Sequence, residues 1–446
     1  MRTKKYLLNS LFYALVASIG GFLFGYHTAA ISGALIFIAK EFNLSIVQQQ
    51  VLVSFILIGA IIGAYIGGSL SDRIGRKKTL FYAILALFIG TIVFVITKNI
   101  FVFFTSRALI GFSIGIFSAV IPIYIAELSD PKYRGRLVSI NQLFLVLGIL
   151  LSNIFAYFFL KNFHWQAIFL TGLIFAFIMF ILLFFIPETP SFLANNNQRP
   201  KAIEILKKVR YDITDSEILK NSTQDNTKKI SKTKLSDLFS PSVRSAFIIG
   251  ITLNIFRQIT GINIVTYYAP KIFLSSGIET PHFAMIFVAS ITAINIFATL
   301  ISIWLIDKVG RRPLLISSTL GMMIFLLILS ASFFINPTNL PIFVMISLMG
   351  FTSSFAIGLG SVSWLINSEI YPMHIRGKAN GIATFVNWVS NYLVATSFLS
   401  LVHNFGQGST FLFFACICFL ALIFSIKKVP ETKGKSFLEI QKFFKK

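Results

Sequence analysis

Apolar runs of about twenty residues recur along the chain between short polar interruptions, and each is long enough to cross a hydrocarbon layer about 30 Å thick as a helix. Twelve can be drawn, with approximate limits 9–37, 51–70, 79–97, 101–126, 138–160, 165–186, 244–274, 283–306, 313–335, 341–370, 379–402 and 409–426. Lipid offers no partner to an exposed backbone N–H or C=O, so the pattern predicts an all-α membrane protein. The start MRTKK before an apolar run has the outline of a signal peptide. That run continues too far, without a small-residue cleavage site, and is read as the first span.

Composition supports this reading. Hydrophobic residues make up 56% of the chain, charged residues 12%, and phenylalanine alone fills 50 positions. A formal charge of +23 would suggest a nucleic-acid partner in a soluble chain. Here the basic residues alternate by loop. They crowd the N-terminus, every second loop and the tail, while the opposite loops hold Lys40, Lys98, Lys161 and Lys271. The basic side is therefore expected to be cytoplasmic, with both termini on it, and the charge to meet lipid headgroups rather than nucleic acid.

Other chemistries lack their motifs. GKS at 434–436 has Val429 where a phosphate-binding loop needs its first glycine, which argues against an ATP-driven pump. There is no HExxH, and no His and Asp cluster within the spans, so an enzyme is not expected, nor a metal or other cofactor. Cys416 and Cys418 point to different sides of one helix, unsuited to a disulfide or a metal. The sequon at Asn221 falls in a cytoplasmic loop, where glycosylation is not expected.

Signals in the first half recur in the second at nearly constant offset. GGSLSDRIGRKK at 67–78 is echoed by IDKVGRRP at 306–313, AELSDPKYRGRL at 126–137 by SEIYPMHIRGKA at 368–379, and PETPSF at 187–192 by PETKGKSF at 430–437. The chain reads as a duplicated six-helix unit: a first bundle over 1–186, a linker over 187–243, a second bundle over 244–427 and a tail over 428–446. The linker carries an amphipathic stretch, PKAIEILKKVRYD from Pro200, expected as a short cytoplasmic surface helix; a disordered tether is the alternative.

These motifs, together with GGFLFGYHTAAISGAL in the first span, PIYIAEL in the fourth and RQITGINIVTYYAP in the seventh, identify a resemblance over nearly the full length. The chain resembles the sugar porters of the major facilitator superfamily, such as bacterial xylose–proton symporters and animal glucose facilitators. The resemblance implies twelve transmembrane helices in two pseudo-symmetric six-helix bundles that move a monosaccharide, or a related polyol or sugar acid, by alternating access. A bacterial inner membrane and a monomer are expected. A sugar receptor that binds without transporting is a rival, although its usual long signalling tail is missing.

Site residues follow from the matching positions. Gln142, Gln258, Asn263, Asn295 and Asn387 fall where the resembling proteins bind sugar hydroxyls, and Trp364 and Trp388 where an aromatic face meets the pyranose. Each amide has an alternative as a bond between helices. Gln258 and Asn263 would stand about 140° apart on a straight helix, so unwinding at Gly261 is expected; Gly358 and Gly360 suggest the same before Trp364. Tyr267 and Tyr268 would form an outer gate above the sugar. Asp72, Arg73, Arg76, Glu127 and Arg134, with Asp307, Arg311, Arg312, Glu369 and Arg376, fall at cytoplasmic helix ends as a charged latch that bridges helices when that side is shut; the bland alternative is that the basic members only fix topology.

Two departures stand out. Proton-coupled members carry an aspartate in the first span where this chain has His27, while the partner arginine is kept as Arg107. The acidic residues all sit in loops, tails or helix ends, so a carboxylate proton relay is absent. An imidazole beside a guanidinium is a poor proton acceptor, and the reading leans to facilitated diffusion; a histidine-coupled symporter is the alternative. Arg257 stands where the resemblance places a sugar-binding glutamine, and with Arg107 it leaves two intramembrane cations for which carbonyls, water, chloride or a substrate anion must compensate.

Overall fold

The computed structural model describes residues 2–130, 133–162, 164–209, 238–240, 243–371 and 373–433. Most of the linker, the sequon and the end of the tail lie outside them. The described residues are helices joined by short connections: α1 (Arg2–Glu41), α2 (Ile46–Ile74), α3 (Arg76–Ile96), α4 (Ile100–Glu127), α5 (Arg134–Leu160) and α6 (Trp165–Phe185) come first. Two short helices follow, α7 (Pro190–Asn195) and α8 (Arg199–Val209). The second half contains α9 (Arg244–Ile259), α10 (Ile262–Ser275), α11 (Pro281–Val309), α12 (Arg311–Ile335), α13 (Leu340–Phe355), α14 (Ser361–Ile370) and α15 (Met373–Lys427).

Eleven stretches among the described residues are long and apolar enough to cross a membrane, with α9 and α10 counted together. The last covers 49 residues, too long for one crossing, and α15 bends within it at Gly406, with φ 78° and ψ 168°. Two crossings on either side of that bend bring the count to the expected twelve.

The spans bury and expose apolar residues for different reasons. On α3 the exposed Tyr82, Leu85, Ile89, Ile92 and Ile96 recur at helical spacing and form a lipid-facing stripe. The opposite face buries Thr79, Leu80, Ala83, Leu87, Gly90 and Phe94 against the protein. Hydrocarbon outside and side chains inside make both faces apolar, which is why periodicity alone does not separate core from surface here.

Two compact units emerge. One comprises Met1–Ala30, Phe55–Ser152 and Gln166–Ser231; the other comprises Ile31–Ser54, Asn153–Trp165 and Lys232–Lys446. The expected boundary at 186 follows the duplication, whereas compactness assigns the ends of α1, α2 and α5 to the second unit. Polar bonds inside that unit explain the assignment. Asn153 Nδ2 donates to Thr292 Oγ1 at 3.1 Å, Ser400 Oγ donates to Gln50 Oε1 at 3.0 Å, and Lys271 Nζ donates to Gln49 Oε1.

The expected amphipathic helix is α8. It buries Ala202, Ile205 and Val209 and exposes Lys201, Glu204, Lys207 and Lys208. Asn9 Nδ2 donates to the Lys208 carbonyl at 3.0 Å, which pins the helix to α1.

Gly75 and Gly310 precede α3 and α12 with φ 102° and 103° and ψ 154° and 170°, a region open essentially to glycine alone. A Cβ at Gly310 would also sit 2.8 Å from Glu431 Oε2. Gly310→Ala is expected to cost about 1–3 kcal/mol of stability, read as a lower apparent Tm of the purified protein. Gly68→Ala, a helical position with nothing within 4 Å of the added Cβ, should leave Tm unchanged or raise it.

Candidate functional site

The seventh span breaks where the expectation placed the break. α9 ends at Ile259, Gly261 adopts a left-handed φ of 88°, and α10 starts at Ile262. The turn brings Asn263 back over Gln258, whose Oε1 accepts from Asn263 Nδ2 at 2.6 Å. Gln258 Nε2 in turn donates to Asn387 Oδ1 on α15 at 2.8 Å, and Arg257 Nη1 donates to the same oxygen at 3.1 Å. The Arg257 guanidinium lies over the Trp364 ring at 4.9 Å from its centroid and near Phe355 at 6.0 Å.

A second break supports that indole. Ala356–Gly360 form a π-helical turn between α13 and α14, where an extra residue per turn shifts the direction in which Trp364 projects. Gly360 closes the turn, with the position of a Cβ 2.7 Å from the Phe355 ring. Tyr267 accepts from Asn391 Nδ2 at 3.2 Å, and Tyr268 donates to the Ala395 carbonyl at 2.8 Å. Both tyrosines are buried, with rings edge to face.

The structure thus gathers Arg257, Gln258, Asn263, Asn387 and Trp364 into one contact cluster, which Tyr267 and Tyr268 flank on α10. Trp388 is buried on α15 next to Asn387. Asn295 on α11 accepts locally from Thr299 Oγ1 at 3.3 Å, and Gln142 is exposed on α5 in the other unit. The amides bond to each other as well as lying at the break, and one face of Trp364 meets Arg257. A sugar hydroxyl entering there would replace amide–amide bonds rather than fill empty valences.

In the first unit, His27 is completely buried, and neither ring nitrogen has a hydrogen-bond partner. α6 makes room for it with Gly172, where a Cβ would come within 2.9 Å of Nε2. Arg107 Nη1 donates to the His27 backbone carbonyl at 3.4 Å, and its guanidinium faces Phe94 at 5.7 Å and Phe169 at 5.9 Å. The arginine therefore meets the carbonyl and aromatic faces, and the imidazole shares Phe169 with it, its ring centroid 6.4 Å from that ring.

The charged motifs form two matching brackets. Arg76 Nη2 meets Asp72 at 2.8 Å and Glu127 at 3.2 Å, and Arg311 Nη2 meets Glu369 at 3.0 Å. Nη1 of each arginine donates to the carbonyl five residues earlier, Ser71 at 3.1 Å and Ile306 at 3.2 Å. Arg312 donates to the Ile426 carbonyl. Arg73 and Arg134 are exposed, and no ion pair of either is found among the described residues. The side chains of Asp307 and Arg376 lie outside what is described. Each bracket lies inside one compact unit, so it joins helices of that unit.

Sequence reasoning quoted PETP and PETK but gave their glutamates no role. Glu188 accepts from the backbone N–H of Arg76 at 3.0 Å and of Lys77 at 3.1 Å, and Glu431 from those of Arg311 at 3.1 Å and Arg312 at 3.0 Å. Each carboxylate caps the helix that follows the strained glycine, satisfying amides that have no acceptor within the helix. Their recurrence at equivalent places in the duplication was the available signal. Asn391, the partner of Tyr267, carried no comparable signal.

The two glutamates differ in environment. Burial raises the Glu188 carboxyl above its usual range, and the amides of Thr189, Lys77 and Arg76 offset this only in part. Burial also raises Glu431, and four backbone amides outweigh it and hold that carboxyl below its usual range. A depressed folded value contributes stability above the unfolded value, lost as pH falls through the folded one. Glu431→Gln should therefore lower Tm at pH 7, with the deficit shrinking as pH falls below about 4.5, near the unfolded carboxyl value. Glu188→Gln should show no such convergence, since its raised value makes the ionised form the disfavoured one. Parallel pH–Tm curves for wild type and both variants would check this.

With the geometry described, known proteins can be compared. The family profile described as "Sugar (and other) transporter" matches residues 13–444. An arabinose–proton symporter of Bacillus subtilis is 34% identical over 96% of this chain and 93% of its own length. The glucose transporter GlcP of Staphylococcus epidermidis is 32% identical over 99% of this chain and 97% of its own. The inward-open structure of the xylose transporter XylE from E. coli superposes with a TM-score of 0.83 at 31% identity, over 96% of this chain and 98% of that one.

Proposed function

This chain belongs to the sugar porter family of the major facilitator superfamily, and from that membership we propose a secondary transporter that moves a monosaccharide or a closely related polyol or sugar acid by alternating access. Its substrate site lies at the break between α9 and α10. The observation that supports this most directly is the chain of side-chain amides from Asn263 through Gln258 to Asn387, at a point where two half-helices meet inside a span. A polyhydroxylated solute needs several donors and acceptors at one depth in the membrane, beside an aromatic ring, and Trp364 supplies that ring. Asn295 completes the proposed set from α11. The membrane is proposed to be a bacterial inner membrane, with the basic loops and both termini inside.

Transport is proposed to be facilitative. Among the described residues, no carboxylate lies in the central part of a span, and His27 is sealed between α1 and α6 with no acceptor for an added proton. A relative named as a proton symporter favours the second reading, in which His27 carries the proton.

Two measurements test this. Gln258→Ala or Asn387→Ala should weaken substrate binding by about 1–3 kcal/mol through a lost hydroxyl partner, seen in ligand-titrated thermal shifts of the purified protein. Unaltered affinity in both would move the site elsewhere. In proteoliposomes, an inward proton gradient should drive no uphill uptake by the native protein, and His27→Asp should gain some coupling, because it places a carboxylate beside Arg107. Robust uphill uptake abolished by His27→Asn would make His27 the proton carrier.

A further inference from the structure

Resting on the proposed site, we infer that the substrate is the sugar acid rather than the neutral sugar, and that Arg257 is the residue that binds its carboxylate. A full positive charge within a span needs compensation. The Arg257 guanidinium meets the Asn387 carbonyl oxygen, the Trp364 face and the Phe355 ring. None of them carries a charge. No ion pair of Arg257 is found among the described residues, and its Nε is buried without a hydrogen-bond partner.

The helix geometry does not remove the deficit. Arg257 sits in the last turn of α9, where the carbonyl end of the helix is worth about half a negative charge and is shared with solvent and other groups. A guanidinium presents its donors in a planar fork that matches a carboxylate, two parallel N–H bonds to two oxygens. One Nη of Arg257 is engaged by Asn387, which leaves Nε and the other Nη for a ligand. The same arginine lies on the indole proposed to face the pyranose, so the carboxylate would bind within reach of the ring-contacting group. The amides of Gln258, Asn263 and Asn387 remain for hydroxyls. A glutamine at 257 would serve a neutral sugar equally well and would not impose the cost of burying a charge.

This assignment bears on direction. A monoanion carried alone moves one negative charge, and a membrane potential negative inside opposes its uptake by about fifty-fold per 100 mV. Exchange of one sugar acid for another is electroneutral and is the mode expected in the absence of a coupling cation.

The test uses the purified full chain and proteoliposomes made from it. D-glucuronate, D-galacturonate and D-gluconate are compared with D-glucose, D-galactose and D-xylose by thermal-shift titration, followed by exchange and uptake of the same compounds. The acids should stabilise the protein at concentrations at least tenfold lower than the neutral sugars. Arg257→Gln should reverse that preference, and Arg257→Lys, which keeps the charge but loses the fork, should fall between. Should Arg257→Gln not fold, the acid-to-neutral ratio in wild type and its change in Arg257→Lys still decide the matter. A wild type that prefers neutral sugars, or a ratio unaltered by the substitutions, overturns the inference. Saturable transport of a neutral sugar with the acids silent would overturn it while leaving sugar transport standing. No binding or transport of any of the six would overturn both.

Discussion

Hydrocarbon supplies no hydrogen-bond partner, so every polar group inside a span must find one in the protein, in trapped water or in a cargo. The regular helices meet this demand within their own backbones. Where the backbone breaks over Ala356–Gly360, Ser318 Oγ accepts from the Leu359 N–H and Ser302 Oγ donates to the Ile357 carbonyl, each at 2.9 Å, while at Gly261 short backbone bonds close the turn. These are the places where Gln258, Asn263, Asn387 and Trp364 gather. Irregular backbone and polar side chains thus occur together in the second unit, and the cluster they form is proposed as the part that exchanges its internal bonds for a ligand's.

The same constraint explains the brackets at the helix ends. α3 and α12 begin abruptly after a glycine whose conformation other residues adopt only under strain, and their first amides would be left without acceptors. Glu188 and Glu431 reach back from more than a hundred residues away to accept from them, while Arg76 and Arg311 tie the same corner to Glu127 and Glu369. Because the pairs are partly buried and share partners, they act as a network and not as isolated surface ion pairs of about 0–1 kcal/mol each. Each network is confined to one compact unit, and its first effect is to hold that unit's helices in register.

Much of this was legible in the sequence, for physical reasons that differ by feature. Span positions were legible because a membrane imposes length and apolarity, and the helix break was legible because Gln258 and Asn263 make sense together only if Gly261 turns the chain. The brackets were half legible: charged motifs recur, but whether an arginine pairs within its own bundle or across to the other depends on tertiary placement that no spacing encodes. Glu188 and Glu431 were missed as caps because a carboxylate between a proline and a threonine looks like loop. Compactness was not legible at all, since the bonds that draw Gln50 and Asn153 toward Ser400 and Thr292 join distant segments.

The two intramembrane arginines show how burial and partners separate a structural charge from one poised for a cargo. Arg107 is fully buried, faces two phenylalanine rings and donates to a carbonyl of α1, an environment assembled from groups that stay in place. Removing it would leave the His27 carbonyl and an aromatic slot without their occupant, so its charge is bound up with how α1 meets α4. Arg257 is only partly buried, sits beside a helix break, and stacks on an indole that is itself 39% exposed. Its acceptor, Asn387 Oδ1, is shared with Gln258, and an oxygen that serves two donors is more readily given up by one of them. The rigid arginine therefore belongs to the scaffold. The exchangeable one is proposed to belong to the pathway, where a charge that the protein leaves uncompensated becomes a means of selecting what passes.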